Sequence, residues 1–206
     1  MYLLGVSGKR GVGKNYITEN YLIPKFILKY SNEKQQLVPY FFSFGTPVKI
    51  ELYSRDSTDN LNYSNLFINK TNDTRKLLQN YATENGRNNF RKDMWIRSID
   101  MWIQVHLENL KIVNSYLDKK LVPLFIIEDV RFENEYEYIR NKGGILVLIE
   151  APERNYYRIL QENDTLNNHE SEKGLEYLDF HLRINNDPQN KSIISNSINK
   201  FILQLF

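Results

Sequence analysis

The chain has 206 residues, with 27 basic and 25 acidic side chains and a net charge of +2. This length suits one α/β domain with insertions, and the balanced charge gives no indication of nucleic acid or a membrane surface as a partner. The absence of cysteine excludes disulfides, thiolate zinc sites and cysteine nucleophiles. No apolar run approaches the roughly 20 residues that span a bilayer, and the first apolar stretch is too short for a signal peptide, so we expect a cytoplasmic protein.

The first predicted element is an apolar strand from Met1 to Ser7, and a glycine-rich run follows it directly. That run has the Walker A spacing of two glycines, a lysine and a polar residue, which is typical of proteins that bind a nucleoside triphosphate. Its backbone N–H groups would converge on phosphate oxygens, and its lysine would bind the β- and γ-phosphates. The predicted ATP-binding residues are Gly8, Lys9, Arg10, Gly11, Val12, Gly13, Lys14, Asn15 and Tyr16.

Asn15 departs from the general motif, which has Ser or Thr at this position to bind Mg²⁺ through a hydroxyl. The amide of Asn15 cannot reproduce that contact, so its role in metal binding stays open. A dinucleotide-binding fingerprint would need glycine where Tyr16 stands, which disfavours a nicotinamide cofactor.

A helix is predicted to follow the glycine-rich run, and Pro24 should kink it or start a second short helix that ends near Tyr30. Leu37 to Phe44 reads as a second strand, with Pro39 tolerated only near its start. The residues after Pro47 should begin another helix.

The polar segment from Asp56 to Asn72 is the most loop-like part of the chain. Asn72 or Asp73 can cap a helix that runs through Tyr81, and Gly86 is a natural break after it. From Asp93 onward the apolar residues recur every three or four positions, which predicts a long helix.

The second half of the chain alternates strand and helix patterns. The predicted elements are a strand at Leu121 to Ile127, a helix at Glu133 to Asn141 closed by Gly143, strands at Ile145 to Ile149 and Leu182 to Ile184, and a final helix from Ile194 to Leu205. This order predicts an α/β fold with a three-layer, doubly wound parallel sheet and a ligand crevice at the carboxyl ends of its strands.

Acidic and basic residues come directly after the strand that ends at Ile127. Asp129 is a candidate for holding Mg²⁺, directly or through water, and Glu128 is the less favoured one. An acid at this place could instead cap the helix that starts near Asn134. Arg131 has a planar guanidinium suited to bidentate contact with a monophosphate.

Four strings, in order, resemble the deoxynucleoside monophosphate kinases of phages and large DNA viruses. They are Ser7 to Asn15, Thr74 to Arg87, Asp129 to Glu135 and His169 to Glu172. The resemblance implies one kinase domain over residues 1–206, with an acceptor-binding helical region at 45–100 and a lid at 150–175. It implies transfer of the γ-phosphoryl group of ATP, with Mg²⁺, to a deoxynucleoside monophosphate, in the host cytoplasm if the protein is viral.

The resemblance also assigns roles to side chains scattered along the chain. The implied catalytic residues are Lys14, Arg131, Arg154 and Arg158; the implied acceptor-binding residues are Lys49, Arg75, Gln79, Arg87, Trp95, Asp129 and Arg131; Asn15 and Asp129 are the implied metal contacts. Periodicity alone indicates mostly solvated arginines and a core position for Trp95.

Two other functions and one assembly stay open at this stage. Animal-type phosphomevalonate kinases share a Gly-Lys-Arg loop, an Asp-x-Arg after a strand and a string like Phe90 to Asp93. The other alternative is a nucleotide-binding protein that has lost catalysis. The departure of Asn15 from the motif would then indicate that loss. A homodimer is compatible with the sequence, and nothing in the sequence decides it.

Overall fold

The computed structural model describes residues 1–56, 60–161 and 173–205. Five parallel strands form one sheet in the order β2-β3-β1-β4-β5. The strands are β1 (Tyr2–Ser7), β2 (Gln35–Phe42), β3 (Lys120–Val130), β4 (Ile145–Glu150) and β5 (Leu182–Asn185). The doubly wound parallel sheet expected from the sequence is therefore confirmed.

Helices connect the strands and cover both faces of the sheet. The α-helices are α1 (Lys14–Ile17), α2 (Ile23–Tyr30), α3 (Gly45–Arg55), α4 (Asn72–Asn80), α5 (Met94–Ser115), α6 (Glu133–Asn141), α7 (Pro152–Gln161) and α8 (Lys191–Gln204). Three π-helical segments, Thr18–Leu22, Ser64–Ile68 and Tyr81–Asn88, lie between them. Within the described ranges, no helix is long and apolar enough to cross a membrane.

The core lies in two layers, one on each face of the sheet. Helices α1, α2 and α8 pack on one face, where Leu124 and Ile126 of β3 point. Helices α3, α5 and α6 pack on the other face, where Phe125 and Ile127 point. Because β3 is buried on both faces, it reads in sequence as a continuous apolar run rather than an alternating one.

Strand β3 extends past Ile127, so that Glu128 and Asp129 belong to the strand itself. The pairing of β3 with β1 shifts register between Gly5 and Ser7, so regular alternation does not place the two carboxylates, and their contacts do. Asp129 accepts hydrogen bonds from the start of α3, whereas Glu128 lies near Lys14 and Glu19, whose charges act on it.

Pro39 lies in the middle of β2, and the expectation that it would fall near the start of the strand is wrong. β2 is the edge strand next to β3. A proline is tolerated there because a nitrogen that faces away from the neighbouring strand donates no ladder hydrogen bond. Pro24 lies in the first turn of α2, directly after the π-helical segment that continues α1.

The segment predicted as a loop from Asp56 to Asn72 contains a helical turn, Ser64–Ile68, with Leu66 buried. Helix α4 begins after Thr71, whose hydroxyl accepts a hydrogen bond from the N–H of Thr74. Gly86 was expected to end the helix, but it lies inside a π-helical segment. A Cβ at this position would come within 2.6 Å of the Trp95 ring. Close packing requires a glycine there.

Candidate active site

A cavity of about 640 Å³ opens at the carboxyl ends of β2 and β3. Residues 8–15, the phosphate loop, follow β1 and supply one wall through Arg10, Gly11, Lys14 and Asn15. Helices α3 and α4 and the start of α5 supply the opposite wall. This is the crevice position at which open parallel sheets bind ligands.

The phosphate loop takes its shape from glycines in conformations that other residues rarely adopt. Gly8, Gly11 and Gly13 have φ values of 142°, 80° and 85°. A Cβ on Gly8 would lie 2.2 Å from the Ile149 carbonyl oxygen, and one on Gly13 would lie 2.5 Å from Nδ2 of Asn186. Backbone angle and space both require glycine, which leaves the loop N–H groups free of covering side chains.

The ammonium of Lys14 lies inside the phosphate loop. Its Nζ donates to the carbonyl oxygens of Gly8, at 2.7 Å, and Lys9, at 3.0 Å. Lys14 also lies near Glu128, whose pKa it lowers. An anion bound by the loop would therefore meet a positive charge that is already in place.

Residues after β5 support the phosphate loop from behind. The buried Asn186 donates from Nδ2 to the carbonyl oxygen of Val12 at 2.8 Å. Arg154 donates to the carbonyl oxygens of Asn186 and, at 3.5 Å, of Gly11. Asp187 accepts from the backbone N–H groups of Glu153 and Arg154, which fixes the start of α7 against the loop. Arg154 thus lies at the rim of the loop.

Asp129 is a structural anchor for α3 in this structure. Its carboxylate accepts hydrogen bonds from Ser43 Oγ at 2.5 Å, Phe44 N at 2.8 Å and Gly45 N at 2.9 Å. Negative charge at a helix N-terminus is favourable. The helix that this acid caps is therefore α3, and not the helix near Asn134 that the sequence offered as the structural alternative.

Glu135 caps the helix that follows β3. Its carboxylate accepts from the backbone N–H groups of Arg131, at 2.8 Å, and Phe132, at 3.1 Å. Burial raises the pKa of Glu135, and these hydrogen bonds and the nearby Arg87 oppose that rise. Asp129 and Glu135, the first and last residues of that string, therefore each hold the start of a helix.

Glu128 has a different environment from its neighbour. Its Oε1 atom is buried and has no hydrogen-bond partner. Burial, with the nearby charges of Glu19 and Asp129, raises its pKa to about 7, while Lys14 lowers it. Glu128 lines the cavity next to Lys14 and Asn15.

Three cations cluster on the wall opposite the phosphate loop: Lys49, Lys70 and Arg75. Lys49 and Lys70 lie close enough for their charges to interact, and Lys49 Nζ lies 4.6 Å from the centre of the Phe67 ring. Burial lowers the pKa of both lysines, and for Lys70 the charges of Lys49 and Arg75 help to lower it to about 8. Such crowding of positive charge favours a bound anion.

The model of the deoxynucleotide monophosphate kinase family matches residues 20–196 of this chain. The chain belongs to this family. It is therefore a nucleotide monophosphate kinase, a phosphotransferase, as its resemblance to the viral kinases implied. A search of curated proteins finds no match to the chain.

Lys70 is the site residue of this kinase that the sequence did not reveal. It falls in the polar segment predicted as a loop, where a lysine is ordinarily solvated. Only the fold brings it beside Lys49, which lies on α3. A lysine four residues before the Thr74-Arg75 string carries no signal of its own in one sequence.

Arg87 and Trp95 form part of the far wall of the kinase cavity and are both buried. The Arg87 guanidinium lies 3.7 Å from the centre of the Phe132 ring and donates to Asn134 Oδ1 at 2.8 Å and Glu135 Oε1 at 3.4 Å. Trp95 donates from Nε1 to the carbonyl oxygen of Ala82 at 3.0 Å. Both side chains are thus fixed by internal contacts as well as facing the cavity.

The structure brings all seven predicted acceptor-binding residues to one cavity. Those that line it are Lys49, Arg75, Gln79, Arg87, Trp95, Asp129 and Arg131. Arg75 and Arg87 are therefore not the solvated arginines that periodicity indicated.

Other predicted residues of the kinase lie away from this cavity or outside the described side chains. Lys9 forms an ion pair with Glu176 at 3.0 Å, and the half-exposed Tyr16 packs against Tyr21. Arg158 belongs to α7, but its side chain lies outside the described part. The string His169 to Glu172 and residues 162–172 of the predicted lid, which spans 150–175, also lie outside the described residues.

Proposed function

We propose that this kinase transfers the γ-phosphoryl group of ATP to the 5′-phosphate of a deoxynucleoside monophosphate, giving ADP and a deoxynucleoside diphosphate. One observation carries the proposal. A single cavity has the phosphate loop and Lys14 on one wall and the cations Lys49, Lys70 and Arg75 on the other. Two phosphorylated substrates can approach each other between these walls.

The reaction requires charge neutralisation more than proton transfer. A 5′-phosphate oxygen of the acceptor forms the new bond to the γ-phosphorus, and the bond from that phosphorus to the bridging oxygen of ADP breaks. Since the attacking oxygen is already an anion, no general base is needed, and positioning with electrostatic stabilisation supplies most of the rate. Lys14 and Arg131 would neutralise the transferring group, with Arg154 and Arg158 joining from α7.

The residues around the loop fit a bound Mg²⁺ ion. Asn15 and Glu128 line the cavity beside Lys14 and offer oxygen atoms, the ligand type that Mg²⁺ prefers. When bound with ATP, Mg²⁺ would neutralise charge on the β- and γ-phosphates. The chain itself would orient the phosphates through the loop amides and Lys14.

The nucleoside of the acceptor would lie beyond its phosphate, along the wall that contains Gln79, Arg87 and Trp95. The contacts that fix Arg87 and Trp95 would keep this wall rigid. In this arrangement residues 45–100 act as the acceptor-binding region of one domain, and residues 150–175 act as a lid that excludes water from the phosphoryl group.

The test is a survey of acceptors with the purified chain. ADP release would be measured with ATP, Mg²⁺ and each of the four deoxynucleoside monophosphates, their ribose counterparts and phosphomevalonate. We expect turnover with at least one deoxynucleoside monophosphate and none with phosphomevalonate. Turnover with phosphomevalonate alone would overturn the proposal in favour of the other kinase that the sequence left open.

A further inference from the structure

Two neighbouring carboxylates lie near the end of β3, and they contact different parts of the molecule. Asp129 faces α3, and Glu128 faces the phosphate loop and α1, where Lys14 and Glu19 influence its ionisation. A metal ion held by the phosphates of ATP would lie on the phosphate-loop side. Position alone therefore favours Glu128.

The contacts of Asp129 commit it to α3. One oxygen accepts from Phe44 N, and the other accepts from Gly45 N and Ser43 Oγ. Turning this carboxylate toward a metal would leave the N-terminus of α3 without its acceptor, and a buried donor that loses its partner costs about 1–3 kcal/mol.

Glu128 has a carboxylate oxygen that could bind a metal ion. Its Oε1 is buried without a hydrogen-bond partner, an arrangement that costs free energy in the absence of a ligand. Lys14 lies near enough to lower the pKa of Glu128, but this Oε1 atom accepts no hydrogen bond. A metal ion that binds together with ATP would give this buried oxygen of Glu128 a partner and remove that cost in free energy.

The chemistry of the loop adds an independent reason. Asn15 stands where a hydroxyl would contact Mg²⁺, so the loop lacks one of the usual oxygen ligands. Across the part of the chain that the structure describes, no three acidic or histidine side chains come together as a metal site. A metal ion here must be held mainly by phosphates and water with one or two protein oxygens, which is the common arrangement for Mg²⁺.

We infer that Glu128, and not Asp129, is the carboxylate that binds the Mg²⁺ of MgATP, directly or through a coordinated water, and that it compensates for the missing hydroxyl at Asn15. This inference rests on the proposed function, because it takes ATP as the ligand of the phosphate loop. It assigns the two acids of β3 separate tasks, metal binding for Glu128 and positioning of α3 for Asp129.

The experiment compares nucleotide affinity with and without a metal, without any acceptor present. The dissociation constant of ATP would be measured by calorimetry in EDTA and in Mn²⁺, and the bound Mn²⁺ would be followed by its electron paramagnetic resonance spectrum. The variants are Glu128→Gln, which keeps the shape, Asp129→Asn, and Glu19→Gln as a matched control on the same face of the sheet.

We expect Glu128→Gln to lose about tenfold or more in affinity for Mn²⁺-ATP, to change the Mn²⁺ spectrum, and to bind metal-free ATP as the wild type does. Asp129→Asn and Glu19→Gln should keep the gain in ATP affinity that Mn²⁺ provides. An unchanged gain in Glu128→Gln, or its loss in Asp129→Asn with α-helix content intact by circular dichroism, would overturn the inference. Failure of the wild type to bind ATP under either condition would instead overturn the proposed function.

Discussion

The two walls of the cavity are built in different ways. The phosphate loop is one continuous run of main chain, shaped by three glycines with positive φ and one lysine. The opposite wall consists of long side chains from separate elements: Lys49 from α3, Lys70 from the segment before α4, and Arg75 from α4 itself. A site made of main-chain groups can be recognised in consecutive residues. A site made of side chains from separate elements forms only when the chain folds.

The walls also differ in how they hold positive charge. Lys14 donates to two carbonyl oxygens of its own loop and lowers the pKa of Glu128. Lys49 and Lys70 lie close to each other, and burial lowers the pKa of both. The positive charge of the opposite wall should therefore fall as the pH rises.

The largest effect should come from the phosphate-loop wall. We expect Lys14→Ala to lower turnover by about a thousandfold or more, because the charge on the transferring phosphoryl group loses its neighbour in the transition state. Steady-state assays of ADP release would measure it, with circular dichroism to show an intact fold. Lys111→Ala, at an exposed position of α5, is the control and should keep wild-type turnover. Near-normal turnover of Lys14→Ala would contradict the assigned site.

The shape of the loop can be tested apart from its charge. Gly13→Ala should weaken ATP binding by about a hundredfold, because the new Cβ meets Nδ2 of Asn186 and forces the loop to move. Calorimetric titration with ATP measures this loss.

Gly143→Ala is the matched control for Gly13→Ala. Gly143 also has a positive φ, 68°, but a Cβ there meets nothing within 4 Å. Both variants should lose about 1–2 kcal/mol of stability through backbone strain, and only Gly13→Ala should lose ATP affinity. Equal ATP affinity in the two variants would show that the loop tolerates a side chain at Gly13.

On the opposite wall, Asp129→Asn should lower the free energy of unfolding by about 2 kcal/mol, since hydrogen bonds to a charged acceptor are the stronger ones. Urea denaturation at pH 7 measures the change. Asp93→Asn, which removes an exposed partner of Arg91, should change stability by well under 1 kcal/mol. If the two variants are equally stable, Asp129 does not anchor α3.

The smallest effect should come from the ionisation of Lys70. Its pKa of about 8 means that the ammonium, which we propose binds the acceptor phosphate, loses its proton as the pH rises through 8. The KM for the acceptor should therefore rise by about tenfold between pH 7 and pH 9, the factor by which the protonated fraction falls. Lys70→Arg keeps its charge and should flatten this profile. A wild-type KM that does not change with pH would contradict the role of Lys70.

Stability gives a second measurement of the same group. The folded pKa of Lys70 lies below its ordinary value of 10.5, so the unfolded chain binds more protons between pH 8 and pH 10.5. The contribution of Lys70 to stability should therefore increase as the pH rises through this window. Lys70→Met should remove that increase and stabilise the free protein at pH 7 by roughly 1 kcal/mol, a figure reduced for solvent screening.

The sequence by itself determined the features that depend on neighbouring residues. Glycine spacing and Lys14 define the phosphate loop, the apolar runs define the strands of a parallel sheet, and α6 has the predicted bounds, Glu133–Asn141. The family follows from strings of this kind. Local backbone angles and short-range periodicity are fixed by consecutive side chains, so one sequence suffices to predict them.

Only the tertiary structure decided how distant side chains combine. Glu128 and Asp129 are neighbours in sequence, but which of them faces the phosphate loop depends on where α1 and α3 pack. The position of Lys70 beside Lys49 depends on a helical turn within a segment that reads as a loop. These contacts arise from packing between elements far apart in the chain, so residue spacing does not predict them.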